Sequence, residues 1–182
     1  PGNLKVTLPA DLDRVRSVVA GHGLVRTGIG HDSHPFGPGV GLVLGGVVIA
    51  GAPRLHGHSD GDVALHAICD ALLGAAGLGD LGRLFPAGPS TPAGIESAAL
   101  LAEVRRRVEA AGWSVAGVDV TIVAARPRLG AHLDAMRSTI AALLDLPVGA
   151  VNVKASTGNL DGSEGAGRTI SALAIASLRV RP

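Results

Sequence analysis

Cysteine and aromatic residues are scarce in this chain of 182 residues, and each scarcity excludes a class of function. The one cysteine, Cys69, excludes an internal disulfide and is typical of a reducing compartment such as the cytoplasm. Two Phe, one Trp and no Tyr offer no platform for stacked bases. The net charge is only +1, and the 16 Lys and Arg form no cluster. We therefore expect no nucleic-acid partner.

Long hydrophobic runs are also missing. The longest Gly-rich apolar stretch, from Val40 to Ala52, is too short to span a bilayer, and no signal peptide is evident, so no membrane partner and a cytoplasmic location are expected. Hydrophobic residues still make up 47% of the chain, enough for a sizeable core of small side chains. Because the chain begins with Pro1 rather than Met, we expect a fragment or a processed product.

Strand-like and helix-like patterns interleave along the chain, which predicts an α/β or α+β fold. The predicted strands cover residues 4–8, 24–34, 114–125, 150–156 and 168–180, with a Gly-interrupted hairpin over 39–50. One predicted helix begins at Pro9, and three more cover residues 59–73, 91–111 and 129–144. Residues 77–92 and 157–167 are predicted loops, punctuated by Gly and Pro.

The stretch GIGHDSHPF, residues 28–36, places three polar residues at the end of a predicted strand. Side chains alternate between the faces of a strand, so Asp32 and His34 share one face while His31 and Ser33 point the other way. A carboxylate and an imidazole on one face make two-thirds of a catalytic zinc site. The alternative is a polar strand end without function.

The next helix supplies a third ligand. Asp62, His66 and Asp70 are spaced four residues apart and share one face of an otherwise apolar helix. His66 completes an Asp-His-His set with Asp32 and His34, and a neighbouring carboxylate would orient its ring. The alternative is the solvated face of an amphipathic helix.

The start of that helix suggests a place for an anion. Ser59 is predicted to cap it, with Asp62 three residues on as in a capping box. Free N–H groups beside His58 and Ser59 would then attract an anionic substrate next to the metal. Ser59 acting only as a cap is the plainer alternative.

Two later stretches are weaker candidates for phosphate binding. In AARPRLG, either Arg126 or Arg128 could pair with a phosphate, although surface arginines are an equal alternative. In KASTGN, polar side chains follow a strand, which alone is only a polar loop: Lys154, Ser156, Thr157 and Asn159.

Four stretches together closely resemble the 2-C-methyl-D-erythritol 2,4-cyclodiphosphate synthase family of the non-mevalonate isoprenoid pathway. They are GIGHDSHPF, GHSDGDVALHAICDALLGAAGLGDLGRLFP, VDVTIVAARPRL and VNVKAST. The resemblance covers about residues 25 to 180. It implies a mixed β-sheet with helices on one face, assembled as a homotrimer around a central axis with active sites between subunits.

The resemblance also implies the chemistry. Zn²⁺ would be held by Asp32, His34 and His66, and Mg²⁺ or Mn²⁺ would bridge the substrate phosphates. The implied substrate is 4-diphosphocytidyl-2-C-methyl-D-erythritol 2-phosphate, whose 2-phosphate attacks its own β-phosphate and releases CMP. His58 and Thr157 match transition-state-stabilising positions. The positions that match substrate contacts are Ser59, Asp80, Gly82, Phe85, Ala124, Pro127, Arg128, Ser156 and Asn159.

The first residues resemble a different enzyme. NLKVTLPADLDRVRSVV looks like the C-terminal tail of 2-C-methyl-D-erythritol 4-phosphate cytidylyltransferase, which acts two steps earlier in the same pathway. We therefore expect residues 1–24 to be the tail of a fused cytidylyltransferase plus a linker, and residues 25–182 to be the synthase domain.

The chain departs from the family at several positions. Asn159 stands where the family has a glutamate that binds the second metal, and a neutral amide oxygen predicts a weaker Mg²⁺ site. Ser163 and Ala166 replace residues that line the trimer axis, and Ala87 replaces a frequent Asp. Two alternatives follow: a catalytically weak homologue serving as a trimeric scaffold for a cytidylyltransferase, and an unrelated zinc phosphohydrolase.

Overall fold

A five-stranded mixed sheet organises the part of the chain that the structure, a computed structural model, describes: residues 8–12, 24–86, 88, 91–92 and 94–181. The strand order is β2-β1-β5-β3-β4. Only β3 and β4 run parallel, and the other neighbours are antiparallel. The strands are β1 (Val25–Leu44), β2 (Val47–Leu55), β3 (Trp113–Val123), β4 (Val151–Ser156) and β5 (Thr169–Val180).

Three long helices cover one face of this sheet. α1 (Val63–Ala76) lies across β1 and β5, α3 (Ser97–Ala110) packs beside it, and α4 (Leu133–Leu144) packs on β4. Short helices α2 (Leu81–Leu84) and α5 (Gly162–Gly165) lie in the connections. The opposite face of β1 and β5 exposes apolar side chains, and Ile29, Leu173 and Ile175 are 65%, 41% and 43% exposed.

Helix α1 lies unusually close to β1 because the strand carries glycines where the two elements cross. A Cβ added at Gly30 would overlap the Ala67 carbonyl oxygen and stand 2.6 Å from the Ala71 backbone nitrogen. Gly28 faces the next turn of the helix in the same way. Most of α1 is buried, so this contact fixes where the polar residues of the helix lie relative to β1.

Helix α1 begins later than the sequence predicts, and the capping prediction for Ser59 is wrong. The N-cap is Asp62, whose carboxylate accepts hydrogen bonds from Ala64 and Leu65 and from Gly45 and Gly46 in the β1–β2 turn. Asp62 is fully buried, and burial raises the pKa of its carboxyl group. The helix N-terminus is therefore filled by the chain's own carboxylate and offers no anion site there.

The mixed sheet with packed helices confirms the predicted fold class, and the trimer stays a prediction. The 39–50 hairpin, the 129–144 helix and the final strand are confirmed within a few residues. The helix predicted from residue 91 begins at Ser97, and both predicted loops contain short helical turns. Residues 9–12 are helical as predicted, while the predicted strand at 4–8 lies almost wholly outside the described residues. The division at residue 24 stays a prediction.

In the described part of the chain, every helix is too short or too polar to cross a membrane.

Candidate metal centre

Asp32, His34 and His66 come together in one group. β1 presents Asp32 and His34 on its helix-covered face, and α1 brings His66 over them. Asp32 Oδ2 lies 3.0 Å from His34 Nε2 and 2.9 Å from His66 Nδ1. The three candidate ligand atoms lie within 4.8 Å of one another, and this is the one such group found among the described residues. The predicted ligand set is thereby brought together in space.

The strand alternation also places His31 as predicted. His31 is exposed and pairs in register with Leu173 of β5, on the open face of the sheet. It therefore points away from the group formed by Asp32, His34 and His66. Of the three polar residues in HDSH that could bind a metal, only two share the site.

The hydrogen bonds within this group shift the pKa values of Asp32 and His34 in opposite directions. Burial pushes the pKa of Asp32 upward, but hydrogen bonds from His34 and His66 outweigh it and hold the pKa well below its usual range. The hydrogen bond to Asp32 is the main reason that the pKa of His34 is raised. One carboxylate oxygen thus accepts a hydrogen bond from a ring nitrogen of each histidine. A divalent metal ion fits this set, since it would replace the two hydrogen-bonding protons with a single positive centre.

His66 is held on its other side by hydroxyl groups. Its Nε2 lies 2.9 Å from Ser97 Oγ and 3.1 Å from Ser59 Oγ. Asp60 in turn accepts the Ser97 hydroxyl and the Ser97 backbone N–H. The expected carboxylate does not contact the Nε2 side of the His66 ring directly; Asp60 acts there through Ser97, which is 31 residues from His66 and so lies beyond any local sequence pattern.

Asp70 does not orient His66. Its carboxylate accepts a hydrogen bond of 2.7 Å from the Leu81 backbone N–H, and burial raises its pKa. Asp70 thereby ties α1 to the start of α2. The stripe of Asp62, His66 and Asp70 is not a solvated helix face, because each member has a specific partner within the fold.

A cavity of about 170 Å³ adjoins the candidate ligands. Six of its lining residues are among those predicted to bind metal or substrate or to stabilise the transition state, and the rest are mostly apolar. Its lining is His34, His58, Ser59, His66, Leu81, Gly82, Phe85, Thr91, Ile95 and Leu100. Three imidazoles and a serine side chain therefore line one small space, of a chemistry that suits a phosphate group.

Most of the remaining predicted contacts lie in a different cavity, of about 180 Å³. It shares no lining residue with the first. It is lined by Ala124, Pro127, Arg128, Leu129, Gly130, Leu133, Ala155, Ser156 and Thr157. The structure therefore groups the predicted nucleotide-pocket residues with Thr157, apart from the metal centre within one chain.

Some candidate phosphate ligands are already engaged. Arg126 donates two hydrogen bonds to the Gly167 carbonyl oxygen, at 3.1 and 3.0 Å, and its guanidinium stacks over Phe36. Lys154 pairs with Asp119, and this contact lowers the pKa of Asp119. Of the two candidate arginines, Arg128 is the one that lines the second cavity.

Asp80 and Asn159 line neither cavity. Asp80 is the N-cap of α2, accepts a hydrogen bond from the Arg83 backbone N–H and pairs with the Arg83 side chain. Asn159 lies in a turn with φ of 52°, a left-handed conformation that asparagine tolerates better than most residues. Asp80 is partly exposed and Asn159 is exposed.

Metal affinity should depend on pH. A proton held on His34 by Asp32 must leave before a metal ion binds, and the raised pKa of His34 extends this competition above the ordinary value of 6.5. We expect the Zn²⁺ affinity of the metal-free protein to fall by about tenfold or more per pH unit as pH drops below that raised pKa. Competition titrations with a chromophoric chelator between about pH 6 and pH 8 measure this. An affinity that is constant over that range contradicts the proposed ligands.

Comparisons with known proteins place this geometry in a family. The model of the YgbB family matches residues 25–179. The 2-C-methyl-D-erythritol 2,4-cyclodiphosphate synthase of Methylococcus capsulatus is 52% identical over 158 residues, which are 87% of this chain and 100% of that protein.

A longer relative and a solved structure extend the comparison. The bifunctional enzyme IspD/IspF of Anaeromyxobacter sp. is 48% identical over 182 residues, and the chain spans 46% of its length. The Plasmodium falciparum IspF CDP complex superposes with a TM-score of 0.75 at 28% identity, covering 87% of this chain and 97% of that chain.

Proposed function

The chain belongs to the YgbB family, and from this membership together with the Asp32-His34-His66 centre we propose that it forms 2-C-methyl-D-erythritol 2,4-cyclodiphosphate. This is the cyclodiphosphate-forming step of the non-mevalonate isoprenoid pathway, and the enzyme is a lyase. The substrate would be 4-diphosphocytidyl-2-C-methyl-D-erythritol 2-phosphate, and CMP would leave. Identity of 52% to a synthase over that enzyme's full length does not favour a scaffold or an unrelated phosphohydrolase.

The metal centre beside the first cavity is the observation that carries this proposal. Asp32, His34 and His66 would hold Zn²⁺, because one carboxylate and two imidazoles are typical of catalytic zinc. Bound there, Zn²⁺ would supply Lewis-acid polarisation of the β-phosphoryl group. His58 and the Ser59 hydroxyl line the same cavity and would hold the phosphate oxygens in place. Since both reacting groups belong to one molecule, orientation supplies much of the rate.

The separation of the two cavities supports a site shared between subunits. Thr157 and Arg128 line one cavity and His58 and His66 the other, so one chain holds both halves of the predicted site without joining them. A homotrimer would join the first cavity of one subunit to the second cavity of its neighbour. In that arrangement Ala124, Pro127 and Arg128 would bind the cytidine end. The CDP bound to the Plasmodium falciparum relative is consistent with such a nucleotide pocket.

Mixing two inactive variants should restore activity. His66→Ala damages only the first half-site and Thr157→Ala only the second. When subunits of the two are mixed and exchanged, roughly a quarter of the sites combine two intact halves if assembly is random. CMP release by the mixture, compared with each variant alone, measures this.

The control for the mixing experiment is the double variant that carries both His66→Ala and Thr157→Ala. It should stay inactive when it is mixed with either single variant, because one of the two half-sites is then damaged in every subunit. A mixture of the single variants that is no more active than its components contradicts a shared site. Restored activity would require residues from two chains, because a site built from one chain would stay damaged in either variant.

We propose that Asn159 is a weak ligand of the second metal ion. Mg²⁺ prefers carboxylate oxygens, and Asn159→Glu would supply one. We expect the Mg²⁺ concentration for half-maximal CMP release to fall by about tenfold. Asn159→Gln is the matched control, because it has the same length and the same cost of about 1 kcal/mol for a left-handed residue. Identical Mg²⁺ midpoints for the two variants would show that residue 159 is not near the metal.

The chain also fits a position within a bifunctional protein. Its identity to the Anaeromyxobacter bifunctional enzyme extends over all 182 residues, while the match to the Methylococcus capsulatus synthase covers 158. We propose that residues 1–24 are the tail of a cytidylyltransferase-like domain and its linker. The single buried cysteine, Cys69, is compatible with a cytoplasmic location.

A further inference from the structure

The side of His66 that faces away from the metal centre carries a second set of contacts. Its Nδ1 faces Asp32, so its Nε2 points to the opposite side, where Ser97 Oγ lies 2.9 Å away. Ser97 is fully buried. The contact is therefore shielded from solvent, and water cannot readily replace the hydroxyl.

The direction of this hydrogen bond follows from Asp60. A carboxylate only accepts, so the Ser97 hydroxyl must donate its single proton to Asp60 Oδ1. Asp60 is itself fixed, because its oxygens also accept the backbone N–H groups of Ser97 at 3.0 Å and Asp62 at 3.2 Å. Ser97 Oγ is then left as an acceptor toward His66, and the proton between them belongs to His66 Nε2.

We propose that Ser97, held by Asp60, is a positioning residue that prepares His66 to bind the metal through Nδ1. With a proton fixed on Nε2, the proton that a metal ion would replace is the one on Nδ1, which is hydrogen-bonded to Asp32, and the lone pair freed on Nδ1 would then bind the metal. The hydrogen bond to Ser97 also fixes the angle of the ring. Neither Ser97 nor Asp60 belongs to the predicted ligand or substrate set, and the inference rests on the proposed function only in taking the centre to bind a metal.

Ser59 also contacts His66 Nε2, but it does not fix the direction of the hydrogen bond as Ser97 does. Its Oγ lies 3.1 Å from His66 Nε2 and accepts the Gly61 N–H at 3.1 Å. No carboxylate contact to the Ser59 hydroxyl is seen among the described residues, so nothing fixes the direction of its proton. Of the two hydroxyls that contact His66 Nε2, the Ser97 hydroxyl is the one whose proton is committed to an acceptor.

The test is the Zn²⁺ affinity of the metal-free protein after Ser97→Ala. Alanine suits the first turn of α3, and its backbone N–H can still bond to Asp60, so the variant should fold. We expect Zn²⁺ affinity to fall by about 10- to 100-fold. Ser97→Thr keeps the hydroxyl and should bind nearly as well as the wild type. Ser138→Ala removes an exposed serine from α4 and should change nothing.

A spectroscopic readout separates positioning from general structure. In the zinc-loaded, ¹⁵N-labelled protein, the His66 Nε2–H proton should give a slowly exchanging resonance that Ser97→Ala shifts or removes and Ser97→Thr keeps. Wild-type affinity and an unchanged resonance in Ser97→Ala would overturn the inference. Equal losses in Ser97→Ala and Ser97→Thr would also overturn it, since packing rather than the hydroxyl would then matter. Zinc binding without CMP release by the wild type would refute the proposed function but not this inference.

Discussion

His66→Ala should lower the rate of CMP release by about 10³-fold or more, because one ligand and the charge stabilisation that depends on it are lost together. His66 is also the proposed ligand that α1 contributes, and its Nδ1 lies 2.9 Å from Asp32 Oδ2 of β1. Without it, Asp32 and His34 remain as two ligands, and Zn²⁺ should dissociate at concentrations that saturate the wild type. Zinc content after dialysis and the rate of CMP release are the two measurements.

His31→Ala is the matched control for metal content. His31 lies three residues from His34 in the same strand but on the open face of the sheet. We expect this variant to retain its zinc. If His66→Ala still releases CMP at the wild-type rate, or if both variants lose zinc equally, the ligand assignment is wrong.

The grouping of the candidate metal ligands could be predicted from the sequence because it depends largely on local periodicity. Alternation along β1 selects Asp32 and His34 and excludes His31, and both outcomes are found. His66 follows from its place on the helix and from the family resemblance. What periodicity cannot give is the partner of His66 Nε2, because Ser97 is 31 residues away and reaches His66 only once α3 is packed beside α1.

The error at the start of α1 has a physical cause as well. Ser59 and Asp62 have the spacing of a capping box, but a buried turn competes for the same carboxylate. Gly45 directs a buried N–H group and Gly46 a partly buried one at Asp62, whose carboxylate accepts both while capping the helix. Buried donors need acceptors, so this long-range demand decides which residue caps the helix. Such a demand does not appear in a local pattern.

Gly30→Ala should destabilise the fold and weaken metal binding at once, although residue 30 touches no ligand. The new methyl group would overlap the carbonyl oxygen of Ala67, which is the residue directly after His66. It would also crowd the backbone nitrogen of Ala71. Because both obstacles are backbone atoms, no side-chain rotation relieves the clash, and α1 must move away from β1. We expect a loss of about 3 kcal/mol in the free energy of unfolding.

The same displacement should carry His66 away from Asp32, so Gly30→Ala should also bind Zn²⁺ about tenfold more weakly or worse. Urea unfolding and chelator competition measure the two effects. Gly149→Ala is the matched control, since an added Cβ there meets nothing within 4 Å and its φ is not left-handed. That control should stay within about 0.5 kcal/mol of the wild type. If Gly30→Ala loses stability but keeps full zinc affinity, the close approach of α1 to β1 serves packing alone, and the position of His66 is set elsewhere.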